Sequence, residues 1–377
     1  MTVEIQAGKR TVTPFRYDNV GSFLRPEKLK KARASFTEGT ITEQELKQVE
    51  DESIEELVQK QKEVGLKAIT DGEFRRSWWH LDFMWGLTGV KKEVIDKGYQ
   101  FNGEETRPET ARLTGRISGK NHPFVEHFTF VNQFAYDDVI ARQTIPAPAQ
   151  FLAELQRPEN SDVTATIYSD IEELITDIAK AYQTVIKDLY DAGCRSLQID
   201  DCTWGMLVDP NYWASRHGSA NVQEVGELNL RVNNAALANL PKDLIVTTHV
   251  CRGNYHSTWA SSGGYDPIAN ILFSKEDVSA FYLEFDTERS GGFEPLAHVR
   301  DDRLVVLGLF SSKTGELEDK DAIKARIKEA TKYIDLERLC ISPQCGFAST
   351  EEGNILTEEQ QWKKLRLIKE VAEEIWG

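Results

Sequence analysis

A helix followed by a short apolar strand that runs into acidic residues occurs twice in this chain, and this unit constrains the fold more than any other feature. Residues 42–64 open with Thr42 and Glu45, a capping box in which each side chain caps the other residue's backbone N–H. Leu46, Val49, Ile54, Leu57 and Val58 follow at helical spacing, and Gly65 stops the helix. Leu66-Lys67-Ala68-Ile69-Thr70 then reads as a strand ending in Asp71-Gly72-Glu73. Residues 170–192 repeat the pattern: Ile171, Leu174, Ile175, Ile178, Tyr182 and Val185 mark one helix face, Gly193 stops it, and Ser196-Leu197-Gln198-Ile199 runs into Asp200-Asp201. Helices alternating with short apolar strands give a parallel β/α architecture.

Strand candidates lie near 16–21, 67–71, 141–146, 195–200, 244–249, 280–285, 303–309 and 338–343, with further helices at 321–334 and 357–376. Eight parallel strands with crossover helices predict a closed (β/α)₈ barrel, a TIM barrel, spanning residues 1–377. An open doubly wound sheet is the alternative. It needs a Gly-rich phosphate turn after its first strand, and Asn19-Val20-Gly21-Ser22 is not one. Residues 84–140 break the alternation. Thr114-Gly115-Arg116-Ile117-Ser118-Gly119 and Phe128-Thr129-Phe130-Val131 predict a β-rich insertion between strands 2 and 3.

A formal charge of −16 on 377 residues repels phosphate backbones and anionic lipid heads, so neither nucleic acid nor membrane is expected as a partner. The opening MTVEIQAGKR lacks the apolar run of a signal segment, and five cysteines show no disulfide framework. Together these features lead us to expect a cytoplasmic protein with reduced thiols. Cys194 and Cys340 sit in apolar strand-like runs and are expected in the core.

In a β/α barrel, chemistry sits where strands end. The predicted ends carry Gly21-Ser22, Asp71-Gly72-Glu73, Asp200-Asp201, His249-Val250-Cys251, Glu284-Phe285-Asp286 and Gln344-Cys345-Gly346. Side chains at i and i+2 of a strand point the same way, so His249 and Cys251 converge. An imidazole and a thiol, joined by Cys345 and a carboxylate, form a mixed N/S/O set that suits zinc. Glu284 and Asp286 compete for the carboxylate place. Glu284 lies nearer the strand proper.

With these residues in order, the sequence resembles the catalytic domain of cobalamin-independent methionine synthase, most closely the single-barrel members of that superfamily. The likeness runs from Val20-Gly21-Ser22-Phe23 through the DGE, QIDD and H-x-C motifs to Cys345. It implies a (β/α)₈ barrel with zinc on His249, Cys251, Glu284 and Cys345. It also implies an amino-acid site in which Ser22 holds the substrate carboxylate, while Glu73 and Asp200 hold its amino group. The implied activity is methyl transfer to a small thiol acceptor such as homocysteine. The second, N-terminal barrel of the two-barrel synthases is absent from this chain. Their strand-7 histidine is matched here by Phe310, so the methyl donor is left open, with folate, corrinoid and epoxide-type alkyl donors as alternatives. Trp78, Trp79 and Trp204 are candidates for a flat donor wall. A zinc-dependent lyase on a similar barrel, or a zinc-binding protein without catalysis, are the competing classes.

Overall fold

The computed structural model describes residue 8, residues 10–212 and residues 221–377; most of the N-terminal stretch read above for a leader lies outside them. The helices form where the pattern places them. Thr42 and Glu45 make the expected capping box on the helix Glu43–Glu63. The helix Ile171–Asp191 starts on an Asp170 cap and buries Leu174, Ile175, Ile178, Tyr182, Val185 and Leu189 along one stripe. Gly193 then takes a φ of +104°, which lets the chain reverse into the next strand without Cβ strain.

Eleven strands occur among the described residues: β1 (Ala68–Ile69), β2 (Thr88–Val94), β3 (Gln100–Phe101), β4 (Glu104–Glu105), β5 (Glu109–Ser118), β6 (Ile140–Pro146), β7 (Ser196–Asp201), β8 (Ile245–Val250), β9 (Ala280–Glu284), β10 (Leu304–Phe310) and β11 (Leu339–Pro343). Seven of them make one parallel sheet in the order β1-β6-β7-β8-β9-β10-β11, curled as in a (β/α)₈ barrel. Segment 16–21, expected as the first strand, bridges the two edges with little ladder of its own. Ile341 donates to Arg16 O and Asp18 donates to Ile341 O, giving the single bridge Tyr17–Ile341. On its other side the segment is joined by side chains. Asn19 donates to Ala68 O at 3.0 Å, and Arg142 to Asn19 O at 2.8 Å.

The insertion between β1 and β6 differs from expectation at one place. The antiparallel pair β2–β5 includes Thr114–Ser118, as predicted. Residues Phe124–Asn132 are a helix instead of a strand. Pro123 opens it, and Phe124, Phe128 and Val131 recur at helical spacing and are the residues it buries. A run of Phe, Thr and Val reads as strand when taken four residues at a time, and the longer period decides otherwise. Among the described residues no helix is long and apolar enough to cross a membrane. Cys194 and Cys340 are buried among apolar side chains, at 1% and 0% exposure.

Closure depends on a buried ion pair. Arg142 on β6 reaches Asp18 at 2.6 Å, with both side chains at 1% exposure or less, and Tyr282 donates to the same carboxylate at 2.8 Å. Removing one partner of such a pair leaves an uncompensated interior charge. We therefore expect Asp18→Ala to cost about 3–5 kcal/mol of stability. The check is the shift in urea midpoint at constant m-value.

Candidate metal centre

The C-terminal end of β8 supplies His249 and, just beyond it, Cys251; the turn after β11 supplies Cys345. Their ligand atoms lie within 4.8 Å of one another, and all three side chains are buried. The two sulfurs are 3.6 Å apart. His249 Nδ1 lies 3.3 Å from the Tyr282 carbonyl, an acceptor, so Nδ1 carries the proton. The lone pair is then on Nε2, a buried atom with no hydrogen-bond partner. A buried imidazole lone pair with no partner beside two thiols is what a zinc site requires of its protein, and the donor set fits that ion.

Glu284 ends β9 with its side chain fully buried. Its carboxylate accepts the Arg252 N–H at 2.7 Å and Arg289 at 3.0 Å, and it stands outside the 4.8 Å group. Burial raises its pKa, and the Lys313 charge opposes that rise. Asp286 has no hydrogen bond to either side-chain oxygen and lies 3.6 Å from Arg289.

Ser22, Glu73 and Asp200 meet the metal-capable trio in one cavity of about 590 Å³. Ser22 Oγ accepts the Ala348 N–H at 3.3 Å, and a Cβ on Gly346 would fall 1.9 Å from that oxygen, so only glycine fits there. Glu73 sits at a φ of +63°, a conformation that costs a non-glycine residue about 1–2 kcal/mol and turns its carboxylate into the barrel mouth. Thr144 donates to Glu73 Oε1 at 3.1 Å, while Oε2 is buried without a partner. Asp200, opposite His249 in the β7–β8 ladder, accepts from Gln198 at 2.8 Å. Burial pushes its pKa up to about 7, with Glu73 adding to the rise and His249 opposing it.

The cavity's outer walls are aromatic. Trp78 and Trp79 line it together with Tyr99 and Phe101 from the insertion. The insertion is tied across the mouth by Asn102 N–H to Trp259 O at 2.8 Å and by Arg107 to Glu352 at 2.7 Å. Two expected residues are elsewhere. Trp204 is fully buried in the apolar core, and so is Phe310, whose ring belongs to the interior cluster and not to the cavity lining. Phe310 is the last residue of β10, where its pairing with β11 shifts register, and the loop follows directly. The residue this loop sends toward the site is Lys313, a buried amine with no hydrogen-bond partner whose charge acts on Glu284 and Cys345. Nothing in its local sequence marked it, because a lysine in a loop reads as a solvated one.

A model of the cobalamin-independent synthase catalytic domain matches residues 15–126 and 160–374 of this chain. An uncharacterized protein of Bacillus subtilis, YxjG, is 44% identical over 98% of this chain and 96% of its own length. A methionine synthase of Saccharolobus solfataricus is 24% identical over 87% of this chain and 86% of its own. Among solved structures, a putative vitamin-B12 independent methionine synthase from Listeria monocytogenes superposes with a TM-score of 0.76 at 40% identity, covering 97% of this chain and 99% of that one. A B12-independent methionine synthase from Shewanella, solved in complex with selenomethionine, shares the fold at a TM-score of 0.70 and 17% identity, covering 96% and 97%.

The Asp200 shift has a measurable consequence. Its carboxyl holds a proton in the folded chain up to about 7, against 3.8 when unfolded. The unfolded chain therefore releases that proton first, and stability falls as pH rises from 3.8 to about 7. In metal-free protein, Asp200→Asn should flatten that part of the stability curve, measured as urea midpoints across the window. An unchanged slope would show that Asp200 does not titrate there.

Proposed function

The chain belongs to the cobalamin-independent methionine synthase catalytic-domain family, and on that premise we propose that it is a zinc-dependent methyltransferase whose acceptor is a thiol amino acid, homocysteine first. The observation that carries this reading is one cavity with two chemistries. Its floor holds the unpaired His249 Nε2 with the Cys251 and Cys345 thiols, and beside them stand Ser22, Glu73 and Asp200. Zinc bound by the floor would keep a substrate thiol deprotonated and nucleophilic near neutral pH.

His249, Cys251 and Cys345 would hold that ion, with Glu284 as the fourth protein ligand. Glu284 is favoured over Asp286 because its charge already acts on the His249 imidazole and the Cys345 thiol. In this reading Ser22 binds the acceptor's carboxylate. Glu73 Oε2 and the Asp200 carboxyl receive its ammonium. An arriving cation stabilises both carboxylates in their ionised form, so Asp200 gives up the proton that burial alone lets it keep. The amino-acid head is thereby fixed at one end of the cavity and the sulfur is aimed at the other, which removes orientational freedom before the methyl group moves. Trp78, Trp79, Tyr99 and Phe101 supply an apolar wall for a small methyl donor and exclude water from the transfer.

We expect one zinc per chain by elemental analysis. Cys251→Ser or Cys345→Ser should lose most of it, and Cys194→Ser should keep it. Glu284→Gln and Asp286→Asn compete directly, since the ligand is whichever variant binds the metal more weakly. Full activity after thorough zinc removal would end this reading.

The acceptor can be tested by binding to cobalt-substituted protein, followed through the sulfur-to-metal absorption. Homocysteine offers an ammonium to Glu73 and Asp200, whereas coenzyme M, a sulfonate thiol, offers none. Each charge-assisted hydrogen bond is worth roughly 1.5–3 kcal/mol, so coenzyme M should bind about two to four orders of magnitude more weakly. Glu73→Gln and Asp200→Asn should weaken homocysteine and leave simple alkyl thiols nearly unchanged. Equal binding of the two thiols would remove homocysteine as the acceptor.

A further inference from the structure

The cavity of about 590 Å³ has room for a second small molecule beside an amino-acid acceptor. Trp78, Trp79, Tyr99, Phe101 and Tyr255 line it. Their rings meet at angles, 63° between Trp78 and Tyr99 at 5.7 Å and 43° between Phe101 and Tyr255 at 5.5 Å, so they bound a space instead of stacking face to face. An aromatic face carries negative charge and attracts cations. Two of these rings already do so: Arg107 lies 4.9 Å from the Trp78 centroid, and Arg157 lies 4.3 Å from that of Tyr99. Among the described residues no guanidinium or ammonium lies over Trp79, Phe101 or Tyr255. The charged side chains that line the cavity among the described residues are Glu73, Glu154 and Asp200 against Arg157, a balance that favours a positively charged guest.

The ionisable groups packed against these rings are committed. His80 Nε2 donates to the Tyr99 hydroxyl at 3.1 Å, and Tyr99 donates in turn to Glu154 at 2.7 Å. The other Glu154 oxygen accepts from Thr110 and lies 3.4 Å from Arg157. Burial and the Arg157 charge push the His80 pKa down to about 3, and burial with the Glu352 charge raises that of Tyr255. Phe310 packs into the core, and Lys313 does not line the cavity. In the reading above, Asp200 is already ionised once the acceptor is bound. A methyl group taken from a neutral amine or ether leaves an anion behind unless that atom is protonated, and the groups beside the rings have no proton to give at neutral pH. A methyl group taken from a positively charged sulfur or nitrogen leaves a neutral molecule behind.

We propose that the methyl donor is an onium compound, a sulfonium or a quaternary ammonium, whose charged centre rests against Trp79, Phe101 and Tyr255. The inference deepens the methyl-transfer reading above and rests on it. The acceptor's thiolate sulfur forms the new bond to the methyl carbon with its own electron pair. The bond from that carbon to the onium centre breaks, and its pair stays on the departing sulfide or amine. The two opposite charges cancel, and no proton moves.

The test uses zinc-loaded full-length chain. Choline and 3,3-dimethyl-1-butanol share a shape and differ in the charge at one atom, and ligand-observed NMR titrations give the dissociation constant of each. Choline should bind about two- to thirtyfold more tightly, the range a cation–π contact spans. Trp79→Leu should remove most of that preference, and Trp79→Phe should retain part of it. Homocysteine binding to the cobalt-substituted variants, read in the sulfur-to-metal band, should stay unchanged. With homocysteine bound, trimethylsulfonium or tetramethylammonium should yield methionine in an amount equal to the dimethyl sulfide or trimethylamine released, and the one that reacts identifies the onium centre. Equal binding of choline and its neutral analogue would overturn the proposal. So would a preference that Trp79→Leu leaves intact, or the absence of methionine with both donors. The choline comparison needs no acceptor, which separates the two readings: a chain without the homocysteine band loses the acceptor reading, whereas a chain that shows the band without the choline preference loses only this inference.

Discussion

Asp200 stands opposite His249 across the β7–β8 ladder, and His249 stands opposite Tyr282 across β8–β9. Parallel strands hold this register by evenly spaced hydrogen bonds, so their carboxyl ends stay level and their last side chains converge. The rest of the site depends on it. The Tyr282 carbonyl meets His249 Nδ1 because those two residues are paired, and that contact puts the lone pair on Nε2. A slip of one residue on β8 would turn His249 to the opposite face and take Cys251 with it.

Holding that register has an electrostatic cost. Glu73, Asp200 and Glu284 are all buried at one end of the barrel, and burial raises the pKa of each. Arg76 and Arg25 oppose the rise at Glu73, and Lys313, Arg289 and Arg252 oppose it at Glu284. Among the described residues Asp200 has Gln198 as its one hydrogen-bond donor, and its pKa is the one pushed to about 7. An apolar cavity ringed by under-neutralised carboxyls and thiols attracts cations, and a metal ion and a substrate ammonium are the two that its shape and donors suit.

Reading the sequence worked where a local period carried the signal. The helices at 42–64 and 170–192, the polar strand ends and the H-x-C pair are all within the reach of spacing alone, and the structure places them as read. It failed where a residue's partner is distant. Segment 16–21 was expected as the first strand, yet beside its single bridge to Ile341 it is joined to β1 and β6 through the side chains of Asn19 and Arg142. Phe124–Asn132 became a helix because burial against the barrel rewards the longer spacing of Phe124, Phe128 and Val131. Trp204 was a candidate for the cavity wall and Phe310 the counterpart of the two-barrel synthases' strand-7 histidine, and the interior claimed both.

The sequence by itself determined which residues come to the barrel mouth. Strand periodicity puts His249 and Cys251 on one side of one strand, and the helix stops at Gly65 and Gly193 set where Glu73 and Asp200 emerge. Only the tertiary structure decided what those residues do to one another. Curling the sheet brings Cys345 within 3.6 Å of Cys251 from 94 residues away, leaves Glu284 in the hands of Arg252 and Arg289, brings Cys202 into the lining of the same cavity, and lets the Lys313 charge act on Glu284 and Cys345. The reason is that spacing along a chain fixes direction only for neighbours on one element, while distance, burial and charge between elements are properties of the closed barrel.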